Sequence, residues 1–182
     1  MNITEFSLHS SKNVFNSMAA GITTKLPDLR KNEMKENFED FQTLEHRLEF
    51  VSTVRGIDFI NDSMATTVNA TWFALECMSK PVVWIVGGYD KGNEYAELKE
   101  LVKEKVKAVV CLGINNKKIY KNFKGDVEIM VNAVSAVEAV NFAYQLSEKG
   151  DIILFSPACP SFDLYDDCEE RGNKFKEAVR NL

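Results

Sequence analysis

Four short apolar runs punctuate the chain from residue 82 onward, over residues 82–86, 108–112, 127–131 and 152–155. Each is rich in β-branched side chains and none alternates strictly with polar residues, the pattern of strands covered on both faces. They end on Gly87-Gly88, Gly113, Asn132 and Ser156-Pro157. Apolar positions at helical spacing fill the intervals and predict helices over 95–103, 116–123, 134–147 and 165–179. Ahead of this series, strand-like runs at 50–54 and 57–60 flank Arg55-Gly56, a hairpin signal, and a further helix is expected over 66–78. Strands alternating with helices through right-handed crossovers predict an α/β fold. It is a doubly wound, mostly parallel sheet with the hairpin added antiparallel at one edge.

The chain before residue 45 reads differently. Val14, Met18 and Ile22, with Phe15 and Ala19 beside them, fall at helical spacing until Pro27 closes the pattern. A second helix is expected over 30–41, burying Met34, Phe38 and Phe41. Two short helices bury too little surface to stand alone. Residues 1–44 are therefore expected to be the helical tail of a preceding domain, and residues 45–182 a domain of their own.

Composition fits a soluble globular protein, with 45% hydrophobic and 27% charged residues. A net charge of -5 without a Lys/Arg stripe argues against nucleic acid as a partner. Residues 1–20 lack the layout of a signal peptide, and no apolar run is long enough for membrane insertion, so a cytoplasmic location is expected. Cys77, Cys111, Cys159 and Cys168 form no C-x-x-C pair and read as reduced thiols. With only His9 and His46 as further ligands, no metal site is expected in this chain.

In doubly wound sheets, ligands bind outside the carboxyl ends of the strands, so the strand endings mark one functional rim. The most specific string there is Ser156-Pro157-Ala158-Cys159-Pro160-Ser161-Phe162-Asp163, followed by Glu169-Glu170-Arg171-Gly172. Small and hydroxyl residues where a strand gives way to a helix suit anion binding. Three further patches lie along the chain: Glu45 to Glu49 around Arg47, Asn61-Asp62-Ser63-Met64-Ala65-Thr66-Thr67, and Gly87-Gly88-Tyr89-Asp90-Lys91-Gly92. A fifth, Asn13-Val14-Phe15-Asn16, carries amides able to pair with a purine edge. Taken singly, Asn13 reads equally as a helix N-cap, Arg47 as a surface ion pair with Glu45 or Glu49, and Lys91 as a solvated loop residue. Neither G-x-x-x-x-G-K-[ST] nor G-x-G-x-x-G is present, which implies that the chain holds only part of an active site.

Taken together and in order, the five patches resemble the C-terminal domain of the Mur ligases, most closely its D-glutamate-adding members. The family patterns are N-D-S-K-A-T-N, G-G-x-D-K-G and S-P-A-C-A-S-F/L-D followed by E-x-R-G. The likeness spans about residues 8–182. It implies an ATP-dependent, amide-bond-forming ligase of cell-wall peptidoglycan synthesis, acting on UDP-N-acetylmuramoyl-L-alanine and D-glutamate through an acyl phosphate. Thr66, Lys91, Ser161 and the Phe162 backbone are then expected at the D-glutamate carboxylates. Asn13, Asn16, Arg47 and Asp62 are expected at ATP, with Asn13 and Asn16 near adenine, Arg47 at phosphate and Asp62 near the ribose. No catalytic base is assigned, and the phosphate loop and Mg2+ ligands are expected in preceding N-terminal and central domains. Met64 stands where the family carries lysine, Thr67 for asparagine, Pro160 for alanine and Cys168 for an aromatic. Those departures keep a second reading open, a non-catalytic binding module or partial copy derived from such a ligase. A third is an unrelated doubly wound domain that binds a small anion.

Overall fold

A six-stranded sheet with the order β1-β2-β6-β3-β4-β5 organises the computed structural model, which describes residues 45–182. The strands are β1 (Glu49–Val54), β2 (Ile57–Asn61), β3 (Val82–Val86), β4 (Val106–Leu112), β5 (Ile129–Ala133) and β6 (Ile152–Phe155). The helices are α1 (Val68–Glu76), α2 (Lys99–Lys105), α3 (Lys117–Phe123), α4 (Ala136–Leu146) and α5 (Cys168–Arg180). A 3-10 turn over Ala96–Leu98 leads into α2. The helices expected over 13–26 and 30–41 lie outside the described residues.

β1 pairs antiparallel with β2, and every other pairing is parallel. The hairpin turns on Arg55 and Gly56, whose φ angles of 51° and 83° suit the primed turn that matches strand twist. The residues of β3 explain the two-sided burial. Val82, Trp84 and Val86 pack with α1, α2 and α3 through Leu75, Val102 and Phe123. Val83 and Ile85 point the other way and pack with Val140 of α4 and Phe175 of α5. All five residues of β3 are fully buried, as a central strand with helices on both faces requires.

Several expected boundaries move for identifiable reasons. β5 begins at Ile129 rather than 127, because the N–H groups of Asp126 and Val127 close the end of α3 on the Phe123 carbonyl. Asn132 therefore lies within the strand, where its side-chain oxygen accepts from Asn116 Nδ2 at 3.0 Å. Helix α5 starts three residues later than expected. Leu164 and Tyr165 first donate to the Ser161 carbonyl in a separate turn, and Asp167 then caps the helix by accepting from Glu170 N–H. Thr67 caps α1 in the same way through Ala70, and Ser135 caps α4 through Glu138.

Candidate functional site

The carboxyl ends of β2, β3 and β6 bring three of the sequence patches together. The loops after β3 and β6 are joined by backbone and by side-chain bonds. Gly87 N–H donates to the Pro157 carbonyl and Tyr89 N–H to the Pro160 carbonyl, both at 2.9 Å. Gly88 has a φ of 135°, and a Cβ there would sit 2.3 Å from the Pro160 oxygen, so only glycine permits this approach. Asn93 Nδ2 adds bonds to the Ala158 carbonyl and the Cys159 sulfur, both at 3.0 Å. Ala158 itself takes a φ of 59°, a bend that turns the loop onto the rim.

The loop after β2 is tied to the same structure by a buried guanidinium. Arg171 of α5, 1% exposed, donates from Nη2 to the Ser63 carbonyl at 2.8 Å and from Nε to the Ser63 hydroxyl at 3.1 Å. Its Nη1 donates to the Cys159 carbonyl at 2.9 Å, and the group lies 5.8 Å from the centre of the Phe155 ring. Burial lowers its pKa to about 10, which leaves it cationic at neutral pH. Ser63 passes the connection on by donating to the Cys168 carbonyl at 2.7 Å.

Asp62 is also turned inward. Its Oδ1 accepts from Leu48 N–H at 3.2 Å and its Oδ2 from the Ser156 hydroxyl at 2.8 Å. Burial outweighs these bonds and the nearby Arg47 charge, and pushes the carboxyl up to about 7. The bonds occupy part of the acceptor capacity of each oxygen, so a ligand hydroxyl could still donate to the group.

Two cations face outward. Lys91 is exposed, with Nζ 5.6 Å from the centre of the exposed Phe162 ring. The neighbouring Asp90 does not neutralise it, because Asp90 accepts from Gly92 and Asn93 N–H and pairs with Lys118 at 3.3 Å. Arg47 is exposed too, and its guanidinium takes no hydrogen bond or ion pair among the described residues. The alternative reading of Arg47, a surface pair with Glu45 or Glu49, is not what forms. Those carboxylates bind Lys176 of α5 instead.

Of the residues expected at D-glutamate, Thr66 is half-buried just ahead of α1, and Ser161 is buried while the adjoining Phe162 is exposed. Met64 is exposed beside Cys168, whose Sγ lies 3.4 Å from the Met64 sulfur, so this edge of the rim is lined by sulfur. Asn13 and Asn16 lie outside the described residues. Among the described residues, no group of three or more His, Cys, Asp and Glu is gathered to hold a metal ion. Cys111, Cys159 and Cys168 are free thiols. No described helix is long and apolar enough to cross a membrane.

Sequence reasoning passed over three residues that build the site. Arg171 was legible only as part of a motif, and its inward direction had no signal. His46 entered only as a possible metal ligand and Asn61 only as part of a motif, yet Asn61 Nδ2 meets His46 Nδ1 at 2.8 Å beneath the rim.

Residues 46–159 match the family model for the glutamate ligase domain of the Mur ligases. The chain is 51% identical over its whole length to a UDP-N-acetylmuramoylalanine--D-glutamate ligase of Christiangramia forsetii, of which it spans 41%. In solved structures, it resembles the UDP-N-acetylmuramate-alanine ligase MurC of Thermotoga maritima, with a TM-score of 0.68 at 15% identity, covering 94% of this chain and 38% of that one. It also resembles the MurF ligase of Thermotoga maritima solved in complex with ADP, with a TM-score of 0.57 at 13% identity, covering 88% of this chain and 36% of that one. At such identities the structural likeness speaks for the fold alone. The sequence matches and the laced loops around an outward-facing lysine agree, and the chain belongs to the Mur ligase family.

Proposed function

We propose that this chain is the C-terminal portion of the ATP-dependent ligase that adds D-glutamate to UDP-N-acetylmuramoyl-L-alanine in peptidoglycan synthesis. The observation that carries the reading is a rim that presents Lys91 and Arg47 with no ion pair to either among the described residues, beside loops locked together by backbone bonds and Arg171. Anionic groups are what such cations suit, and this reaction supplies carboxylates and phosphates. Identity of 51% along all 182 residues to a ligase of that name favours D-glutamate over other amino acids.

In the proposed reaction, ATP converts the carboxyl group of UDP-N-acetylmuramoyl-L-alanine to an acyl phosphate. The D-glutamate amine attacks the acyl carbon, loses its proton, and phosphate leaves as the amide forms. Activation is needed because a carboxylate resists nucleophiles. This chain contributes position and charge. Lys91 and Thr66 hold one carboxylate of D-glutamate, while Ser161 and the Phe162 backbone hold the other. Arg47 meets the phosphates through its forked donors, and Asp62 lies near the ribose. Asn13 and Asn16 belong at the adenine. We assign residues 1–44 to the end of a central ATP-binding domain, whose own residues and those ahead of it bring the phosphate loop and the Mg2+ ligands. The free thiols of Cys111, Cys159 and Cys168 suit a cytoplasmic setting.

The contact between Met64 and Cys168 favours one competing reading, a binding module without activity, because it puts sulfur where the family pattern has a cation and an aromatic. A single assay separates the two. The chain joined to its preceding portion is expected to release phosphate from ATP only when both UDP-N-acetylmuramoyl-L-alanine and D-glutamate are present. No release under those conditions would leave the module.

A further inference from the structure

Arg47 stands between two residues in left-handed backbone, His46 with φ 63° and Leu48 with φ 47°. Residues with side chains adopt such angles where the surroundings over-determine them, and strain of this kind gathers at working sites. The surroundings here are explicit. His46 N–H donates to Glu49 Oε2 at 2.9 Å, the His46 carbonyl accepts from Met64 N–H at 3.0 Å, and Leu48 N–H donates to Asp62 at 3.2 Å. The buried His46 ring rests against Gly172 of α5, where a Cβ would lie 2.3 Å from Nδ1.

Asn61 connects these parts. It is fully buried, and its oxygen accepts from Ser63 N–H at 3.2 Å, which fixes the amide so that Nδ2 faces His46 Nδ1 at 2.8 Å and Glu49 Oε2 at 3.1 Å. His46 Nδ1 therefore accepts, and the ring proton sits on Nε2. Lys176 occupies Glu45 and Glu49 from the other side, and among the described residues Arg47 forms no ion pair, with Asp62 near enough to feel its charge but turned inward.

We propose that Asn61 is a positioning residue for Arg47. Through His46 it holds the strained turn that presents the free guanidinium to an anionic ligand. On the functional reading above, on which this inference rests, that ligand is the phosphate chain of ATP. A residue that merely supports the fold would weaken the protein equally with or without Arg47, whereas a positioning residue acts only through it.

The test is a double-variant cycle in the ligase formed by this chain and its preceding portion, with ATP titrated calorimetrically. Asn61→Ala and Arg47→Ala are each expected to weaken ATP binding roughly tenfold, the scale of one charge-assisted contact. The double variant should bind no more weakly than Arg47→Ala alone. Additive losses would overturn the proposal, as would an Asn61→Ala variant with parental affinity. Should Asn61→Ala fail to fold, Gly172→Ala presses on His46 from α5 and carries the same expectation in the same cycle. D-glutamate ligation is followed separately. A parent that binds ATP but does not ligate D-glutamate defeats the functional reading while the cycle still judges Asn61, and a parent that binds no ATP defeats both.

Discussion

Arg171 and Ser63, 108 positions apart in the chain, are joined twice, from Nη2 to the serine carbonyl and from Nε to its hydroxyl. The third donation, to the Cys159 carbonyl, makes one side chain the common anchor of two rim loops. Lysine keeps the charge but offers a single ammonium that does not span three acceptors. Arg171→Lys is therefore expected to destabilise the protein by about 2–4 kcal/mol, through buried acceptors left unmet. Urea unfolding of the two proteins, compared at unchanged slope, measures this. A shift within about 0.5 kcal/mol, the scale of an ordinary surface change, would mean the anchor is dispensable.

Asp62 gives a pH dependence with a definite sign. Its folded pKa of about 7 stands above its ordinary value of 3.8, so between those values the native state binds more protons than the unfolded chain. Stability from this group is thus greatest below pH 4, falls as pH rises toward 7, and is flat beyond. The loss is of order 4 kcal/mol at about 1.4 kcal/mol per pH unit. Asp62→Asn keeps the shape and removes the titration. Unfolding free energies of parent and variant between pH 4 and 8 are expected to converge or cross toward high pH in the variant's favour. A pH-independent difference would contradict this.

Lys91 is expected to supply the main cationic contact for D-glutamate, since Met64 offers none. Lys91→Ala should weaken D-glutamate binding tenfold or more, by roughly one charged hydrogen bond. Met64→Lys, at a half-exposed position, should strengthen it and leave the unfolding midpoint nearly unchanged. On the proposed function, calorimetric titration of D-glutamate with nucleotide present, in this chain joined to its preceding portion, reads both. Parental affinity in Lys91→Ala would place the amino-acid site elsewhere.

Residues 45–182 are expected to fold without residues 1–44. Both cores of the described region lie between Ile57 and Val179, on the two faces of one sheet. The shortened chain should melt cooperatively and keep its near-ultraviolet circular dichroism. Non-cooperative melting would show that the sheet depends on what precedes it.

Much of this fold was legible because the strands advertise themselves. Val82 to Val86 permits no other reading once glycines follow it, and Arg55-Gly56 specifies its own turn. The misplaced starts of β5 and α5 have a common cause. Backbone N–H groups of Asp126, Val127, Leu164 and Tyr165 are used in local turns, and side-chain patterning carries no trace of where a backbone bond goes. In the candidate site, Lys91, Thr66 and Ser161 were found through motifs. The inward direction of Asp62 and Arg171 was not, because burial of a charged residue depends on partners brought from 94 and 108 positions away.

On the proposed function, the lacing between the loops after β3 and β6 bears on any attempt to redirect the enzyme to another amino acid. Two of its bonds end on the carbonyls of Pro157 and Pro160, atoms every residue carries, so a proline at 160 costs the lacing nothing. Single exchanges at rim side chains other than Gly88 and Asn93 should be tolerated as far as the frame is concerned. Transplanting residues 156–163 alone would instead set a foreign backbone against Gly87, Gly88 and Tyr89. The transferable cassette is both loops together, grafted as one piece.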